Sequence, residues 1–160
     1  AAGSQGTMNN LVMGDATRSY YETIGGGTGA GKGFAGASGV HVHMSNTAIT
    51  DPEILEWRFP VRLHRFAIRT GSGGNGKWNG GDGLIRELEF LEPQAISLLG
   101  QNRTEGPYGL TGGLPGECGR QTVIRADGTK EELEFAAQIE MKPGDRLLIE
   151  TPGGGGFGSA

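Results

Sequence analysis

The sequence predicts a mainly β fold: a glycine-rich β-sandwich or barrel-like unit with one short helix near residues 51–58. Short segments alternate apolar and polar side chains, which is the period of a half-buried strand. Clusters of glycine separate these segments, at 25–39, 71–83, 106–119 and 153–158. Glycine contributes 32 of 160 residues, against a usual share of about 7 per cent. Because glycine permits positive φ and close backbone contact, the clusters predict tightly packed loops.

The N-terminal third predicts two short strands. Residues 1–19 are small and polar and show no convincing period. A strand at 18–24 enters the first glycine cluster. Apolar side chains alternate with histidines over 40–44, which predicts the second strand.

The next segment carries the one good helix signal. Thr50 and Glu53 have the spacing of a capping box, and Pro52 suits a first helical turn. Acidic side chains there also suit the positive end of the helix dipole. Pro60 is expected to end the helix after about two turns.

A strand follows the helix. Val61 and Leu63 place apolar side chains on one face, whereas Phe66 and Ile68 have the opposite parity. A β-bulge near 64–65 would bring all four side chains to the same face.

The C-terminal half predicts further strands. Leu84, Leu88 and Phe90 share an apolar face that Arg86 interrupts. A hairpin is predicted over 123–139, with its turn at Asp127-Gly128 and an alternating second arm from Leu133 to Ile139. A turn at 142–145 and a last strand at 146–150 complete the chain.

The stretch GGGTGAGKG, Gly25 to Gly33, is close to a P-loop but lacks two of its parts. The position that should carry a Ser or Thr hydroxyl for magnesium is Gly33. A helix must follow a P-loop, since its N-terminus supplies donors to phosphate. Here further glycines and strand periodicity follow instead. The segment is therefore not expected to bind ATP.

Composition excludes several classes of protein. The net charge of -4 and the pI near 5.4 argue against a nucleic-acid or anionic-membrane surface. Cys118 is the only cysteine, so no intrachain disulfide is expected, and a reducing, cytoplasmic location fits. No apolar run is long enough to span a membrane. The first residues already look like the middle of a domain, so we expect 1–160 to be one unit of a longer polypeptide, with no internal boundary.

Several motifs together carry a resemblance to a known family. The motifs are SQGTMNNL at 4–11, GVHVHMSNT at 39–47, TDPEILEWRFPVRL at 50–63, GSGGNGKWNGGDGLIREL at 71–88, PYGLTGGLPGECG at 107–119 and TPGGGGFG at 151–158. Nearly the whole chain resembles the C-terminal portion of the hydantoinase B/5-oxoprolinase family, whose relatives include subunits of acetone and acetophenone carboxylases.

The resemblance implies an ATP-dependent cyclic-amide hydrolase, such as 5-oxoprolinase or an N-methylhydantoinase, that opens a lactam or hydantoin ring after phosphoryl activation. ATP is handled in this family by a partner hydantoinase A-type subunit or domain, and metal residues belong to the upstream part of the B-type region. No cofactor is therefore expected on this segment, whereas the complete enzyme uses ATP, Mg and a further divalent metal. Its expected partners are the A-type subunit and the upstream B-type region, and a homo-oligomer stays open. The alternatives are a non-catalytic assembly module or a fragment of a carboxylase subunit.

Two histidines are the first candidate site residues. His41 and His43 lie on one strand face, with a spacing that some zinc sites use. The competing interpretation is that both form hydrogen bonds at an interface with the rest of the enzyme, where Asn46 is close by. We favour the interface, and so predict no metal. His43 is a candidate catalytic residue, and His41 and Asn46 are candidates for substrate binding.

Asp82 and two arginines complete the candidates. Asp82 could orient a catalytic group, or could cap the backbone of its own turn. Arg86 and Arg103 could hold a carboxylate or phosphate, since guanidinium binds these anions in a bidentate manner. Because Arg86 lies on an apolar face, the sequence also predicts a buried ion pair with Glu or Asp there. Cys118 has no base beside it, so a nucleophilic role is not expected.

Overall fold

The structure, a computed structural model, describes residues 1–6, 9–42 and 48–160. Within these ranges the chain forms two antiparallel sheets and one short helix. The elements, in chain order, are β1 (Asn9–Gly14), β2 (Ser19–Thr23), α1 (Pro52–Arg58), β3 (Val61–Arg69), β4 (Gly83–Phe90), β5 (Gln94–Gly100), β6 (Arg120–Ile124), β7 (Lys130–Glu132), β8 (Ala136–Met141) and β9 (Arg146–Glu150).

The two sheets differ in size and share one core. The four-stranded sheet has the order β2-β1-β5-β8, and the five-stranded sheet has the order β3-β4-β9-β6-β7. Leu11 and Leu98 come from the first, whereas Phe90 and Leu147 come from the second, and all four side chains belong to one buried cluster. Each such side chain stabilises the fold by about 1.5–3 kcal/mol when fully buried. The predicted mainly β fold is confirmed, as two packed sheets.

The helix forms where the sequence predicts it, but a different residue caps it. The Asp51 side chain accepts a hydrogen bond from the Glu53 amide at 2.9 Å, and Pro52 occupies the first turn. The capping-box role expected of Thr50 is wrong, because Asp51 is one residue closer to the free amides. Leu55 is fully buried and anchors the helix to the core.

The predicted bulge in β3 is confirmed. The register of β3 against β4 shifts between Leu63 and Arg65. The extra residue is His64, whose ring lies against the Glu89 carboxylate at 2.5 Å on the outer face.

Several strand predictions need correction. β1 and β5 lie in segments where no strand was predicted. β1 was missed because its inward residues begin with Asn9, which hides the apolar period of Leu11 and Met13. Val40 makes only an isolated bridge with Gly26 and no strand follows through Val42; the rest of the strand predicted at 40–44 lies outside the described residues.

The second arm of the predicted hairpin divides between the two sheets. Residues 130–132 pair with β6, whereas 136–141 pair with β5 in the other sheet. The Gln121 side-chain amide donates to the Glu134 carbonyl at 3.1 Å between the two strands. Phe135, an apolar residue of the predicted alternating arm, is 56% exposed at this crossing.

The glycine clusters pack backbone against backbone. Gly154 donates its amide to Gly81 and accepts from Gly74, and Gly81 in turn donates to Thr28, at 2.8–2.9 Å. A Cβ at Gly154 would overlap the Thr28 carbonyl oxygen. These bonds tie three of the predicted loops into one layer beside the sheets, which is why glycine is needed there.

The P-loop-like segment has a different structure from a phosphate loop. Gly31 and Phe34 exchange both backbone hydrogen bonds, at 3.1 and 3.2 Å, around a tight turn at Lys32 and Gly33. No helix follows among residues 34–42. In the part of the chain that the structure describes, no helix is long and apolar enough to cross a membrane.

Candidate functional site

A buried polar network joins the N-terminal motif to the loop after β5. Gln5 and Asn9 are 1% and 2% exposed. The Asn9 side-chain amide donates to the Gln5 side-chain oxygen. The Gln5 amide lies 3.5 Å from the Val40 carbonyl, directly before His41. Buried amides need such partners, because an unpaired buried polar group costs about 1–3 kcal/mol.

Arg103 extends this network toward β9. Its Nη1 donates to the Glu150 carbonyl at 2.9 Å, and its Nη2 donates to the Asn9 side-chain oxygen at 3.3 Å. Burial, followed by the nearby charge of Arg69, lowers the pKa of Arg103 to about 10, so the guanidinium stays charged at neutral pH. We call Gln5, Asn9, Asn102 and Arg103 the polar network.

Asn102 locks the loop that presents Arg103. Its φ of 52° lies in the left-handed region, which is uncommon for a residue other than glycine. The side-chain amide donates to the Gln5 carbonyl at 2.8 Å, and the Asn102 carbonyl accepts from the Gly119 amide at 2.8 Å. Such a conformation persists only where its surroundings fix it, and it often accompanies functional sites.

Arg69 places a second guanidinium beside the polar network. It donates to the Glu117 carboxylate and to the Cys118 carbonyl, both at 2.8 Å. The Glu150 carboxylate lies 3.6 Å from its Nε. Two carboxylates therefore offset the positive charge of the Arg69 and Arg103 pair.

His41 lies at the edge of the polar network. Its side chain is half-buried, and its Nδ1 has no hydrogen-bond partner among the residues that the structure describes. Burial lowers the pKa of His41, which favours the neutral imidazole. His43 and Asn46 lie outside the described residues, so their predicted roles stay predictions.

Asp82 clamps two glycine loops. Its carboxylate accepts a hydrogen bond from the Gly73 amide at 2.8 Å, and its own amide donates to the Ser38 hydroxyl at 2.8 Å. The carboxylate thus binds an amide at the other end of its own 71–83 loop, nine residues away, rather than an amide of its own turn. This gives Asp82 a structural partner, whereas its predicted catalytic role stays a prediction.

Arg86 forms the buried ion pair that the sequence predicts. Its Nε lies 2.7 Å from the Glu22 carboxylate on β2, and Arg86 is 1% exposed. Tyr20 donates to the other Glu22 oxygen at 2.9 Å. The pair bridges the two sheets inside the core, away from the polar network. Arg86 is buried in this pair, and its predicted role in substrate binding stays a prediction.

Sequence reasoning missed Gln5, Asn9, Asn102, Arg69 and Glu22. A signal existed for Asn9, which shares the inward parity of Leu11 and Met13 once β1 is recognised. The bonds of Arg103 to Asn9 and of Asn102 to Gln5 join residues more than 90 positions apart, which local patterns do not reveal.

The described residues form no metal cluster. Among residues 1–6, 9–42 and 48–160, no group of three His, Cys, Asp or Glu side chains could hold an ion. Because His43 is not described, the predicted absence of a metal stays a prediction. Arg69 and Arg103 donate to groups of this chain, so the predicted role of Arg103 in substrate binding stays a prediction.

Comparisons with known proteins agree with the motifs. The family model for Hydantoinase B/oxoprolinase matches residues 1–160. The chain is 53% identical over 156 residues to 5-oxoprolinase 1 of Arabidopsis thaliana, covering 98% of the chain but only 12% of that protein. The crystal structure of the ATP-dependent caprolactamase of Pseudomonas jessenii superposes with a TM-score of 0.81 and 26% identity, over 99% of this chain and 30% of that one.

A more distant solved structure shares the fold. Nucleotide-free acetone carboxylase gives a TM-score of 0.77 at 21% identity, over 95% of this chain and 26% of that one. The chain thus spans less than a third of each of these relatives. Since the family model covers the full sequence, this chain belongs to the hydantoinase B/oxoprolinase family.

Proposed function

We propose that this chain is part of an ATP-dependent cyclic-amide hydrolase, of the 5-oxoprolinase or N-methylhydantoinase B type. The observation that carries the proposal is the 53% identity to a plant 5-oxoprolinase over 98% of the chain. The structural likeness to an ATP-dependent caprolactamase supports it, since caprolactam is also a cyclic amide. The reaction is the opening of a lactam or hydantoin ring after phosphoryl activation.

In this proposal a hydantoinase A-type subunit or domain handles ATP and Mg, and the upstream B-type region supplies any further divalent metal. The turn at Lys32 and Gly33 supports this division, because it lacks the hydroxyl and the helix that a P-loop needs. The complete enzyme would work in the cytoplasm.

The role proposed for this segment is to position the site. The polar network fixes three separate parts of the chain against one another: the N-terminal motif, the segment before His41 and the loop after β5. Preorganised polar groups aimed at a reacting centre are a major source of catalysis. His41, with an unpartnered Nδ1 among the described residues and a neutral ring, is the candidate for substrate contact.

A non-catalytic assembly module is the second candidate function. The observation that favours it is that Asp82, Arg86 and Arg103 all form bonds within the chain. In the complete enzyme, Asp82→Asn keeps an acceptor oxygen for the Gly73 amide, whereas Asp82→Ala removes it. If Asp82 is a structural clamp, the Asp82→Asn enzyme should retain turnover. If its carboxylate is catalytic, Asp82→Asn should lose turnover as Asp82→Ala does.

The test of the main proposal is activity of the complete enzyme with its A-type partner. We expect 5-oxoproline to give glutamate with matched release of ADP and phosphate, and no turnover without ATP. Hydantoin, caprolactam, and acetone with bicarbonate serve as competing substrates. If acetone with bicarbonate is the only substrate turned over, the carboxylase alternative is favoured. If no substrate is turned over, the proposal is rejected.

The histidine roles are tested in the same assay. His41→Ala and His43→Ala are compared with Glu134→Ala, a change to an exposed side chain beyond β7. We expect both histidine variants to lower turnover by about 10²-fold or more, as loss of a proton-transfer or positioning group does. The folded fractions must be matched first. If both histidine variants have the same turnover as Glu134→Ala, the assembly-module candidate is correct.

A further inference from the structure

The outer face of the four-stranded sheet is almost free of charge. The registers place three rows of four side chains there: Ser19-Gly14-Ala95-Glu140, Tyr21-Val12-Ser97-Gln138 and Thr23-Asn10-Leu99-Ala136. Glu140, at one corner, is the only charged residue among them. We call these twelve positions the uncharged face.

The outer face of the five-stranded sheet is the internal comparison. Its rows carry charged side chains throughout, several of them paired across strands: Arg62, Arg65, Glu87, Glu89, Arg120, Lys130, Glu132, Arg146 and Glu150. Charged residues make up 20% of the whole chain. Depletion of charge on one sheet face alone is the composition of an interface core, not of a solvated surface.

The shape of the uncharged face indicates what covers it. Gly14, Ala95 and Ser97, together with Val12 and Gln138, are among the residues that line a shallow cavity of about 730 Å³. Val12 is 37% exposed and Tyr21 is 56% exposed, so apolar surface faces the solvent here. A trough of small residues on a sheet accepts the apolar side of an α-helix, which is how helices and sheets form layers.

The area of the uncharged face decides between two occupants. Four strands about 4.8 Å apart and about six residues long give a face of roughly 400 Å². A stable dimer buries about 800 Å² on each partner. This face is smaller than that even with the relief of its side chains, so a second copy would have to bury surface beyond it. A segment of the same polypeptide needs less area, because the covalent tether supplies its effective concentration.

We infer that the uncharged face is the docking surface for an amphipathic α-helix from the remaining part of the hydantoinase B-type polypeptide. The polypeptides of the relatives are long enough to supply it, since this chain matches only 12% of the plant 5-oxoprolinase and 30% of the caprolactamase chain. Asp15, Arg18 and Glu140 form a charged rim around the cavity, as expected at the edge of an interface.

The experiment measures thiol accessibility in the complete polypeptide. Gln138→Cys reports on the uncharged face, and Lys130→Cys reports on the charged outer face; both parent side chains are exposed in this structure. Cys118→Ser removes the native thiol of this segment, and labelling is measured on the peptides that contain positions 138 and 130. We expect maleimide to label position 138 about 100-fold more slowly than position 130, as for a site reached only by local opening.

Each outcome of the labelling experiment either supports the inference or overturns it. Labelling at 138 and 130 within about threefold of each other would show an open face and overturn it. Protection of 138 that disappears on dilution would assign the face to a second copy and also overturn it. Concentration-independent protection supports it, and Ser97→Glu should then raise the labelling rate at 138 whereas Thr122→Glu should not.

Discussion

The buried pair of Glu22 and Arg86 makes a strong prediction about stability. Arg86 is 1% exposed, and its Nη1 and Nη2 have no hydrogen-bond partner among the described residues. The Glu22 carboxylate is therefore its main compensating group, at 2.7 Å. Glu22→Gln keeps an acceptor but removes the charge. Breaking a buried pair from one side costs about 3–5 kcal/mol, and we expect about 3 kcal/mol here.

Urea unfolding measures this loss. With m-values of about 1–3 kcal/mol/M, a loss of 3 kcal/mol moves the midpoint by at least about 1 M. Glu92→Gln is the matched control, because Glu92 pairs with Arg18 in the open, with side chains 59% and 39% exposed. An exposed pair contributes about 0–1 kcal/mol, so its midpoint should hardly move.

A double variant tests the cause. Glu22→Leu combined with Arg86→Met replaces both charges by apolar groups and should recover most or all of the stability lost in Glu22→Gln. If Glu22→Gln moves the midpoint no more than Glu92→Gln does, the reasoning is refuted. If the double variant is less stable than the single one, the pair itself is net stabilising.

Three further predictions concern other parts of the chain. Gly154→Ala should lower the free energy of unfolding by several kcal/mol or prevent folding, because the new Cβ would overlap the Thr28 carbonyl. Gly33→Ala, at φ 92° in open space, should lower it by only about 1–2 kcal/mol. Thermal unfolding of the two variants compares these losses. Burial raises the pKa of Asp145, but amide hydrogen bonds and Arg125 lower it further, so it lies below 3.8 when folded. Its stabilisation is complete above the unfolded pKa and is lost as pH falls through the folded pKa, so Asp145→Asn should lose about 2 kcal/mol at pH 7 and depend less on pH below about 4. Calorimetric titration should detect no Mg-ATP binding, and micromolar binding abolished by Lys32→Ala would contradict this.

Local sequence patterns predicted the elements whose structure depends mainly on residues that are close in the chain. The alternation of β4 and β9, the parity change in β3 and the Pro52 start of α1 all depend on neighbours within a few residues. The charge of Arg86 on an apolar face also predicted a buried acidic partner. In each case the signal lay within one short segment of the sequence.

Long-range pairing explains what could not be predicted. Nothing near Arg86 identifies Glu22 as its partner, 64 residues away. Asp82 accepts from the Gly73 amide because the two ends of the 71–83 loop fold together, which its own turn does not indicate. The hairpin prediction failed at 133–139 for the same reason, since β8 finds its partner in β5 of the other sheet.

The abundance of glycine has two physical causes, one in the loop layer and the other around the polar network. In the loop layer, glycines such as Gly154 allow backbone to pack on backbone. At Gly100 and Gly119 a Cβ would instead overlap the guanidinium of Arg103. Glycine there makes room for a buried charged side chain. Substitution of Gly119 should therefore displace the Arg103 side chain more than it changes the sheets. The glycines that surround the polar network are therefore tied to the site, whereas those of the layer are tied to the fold.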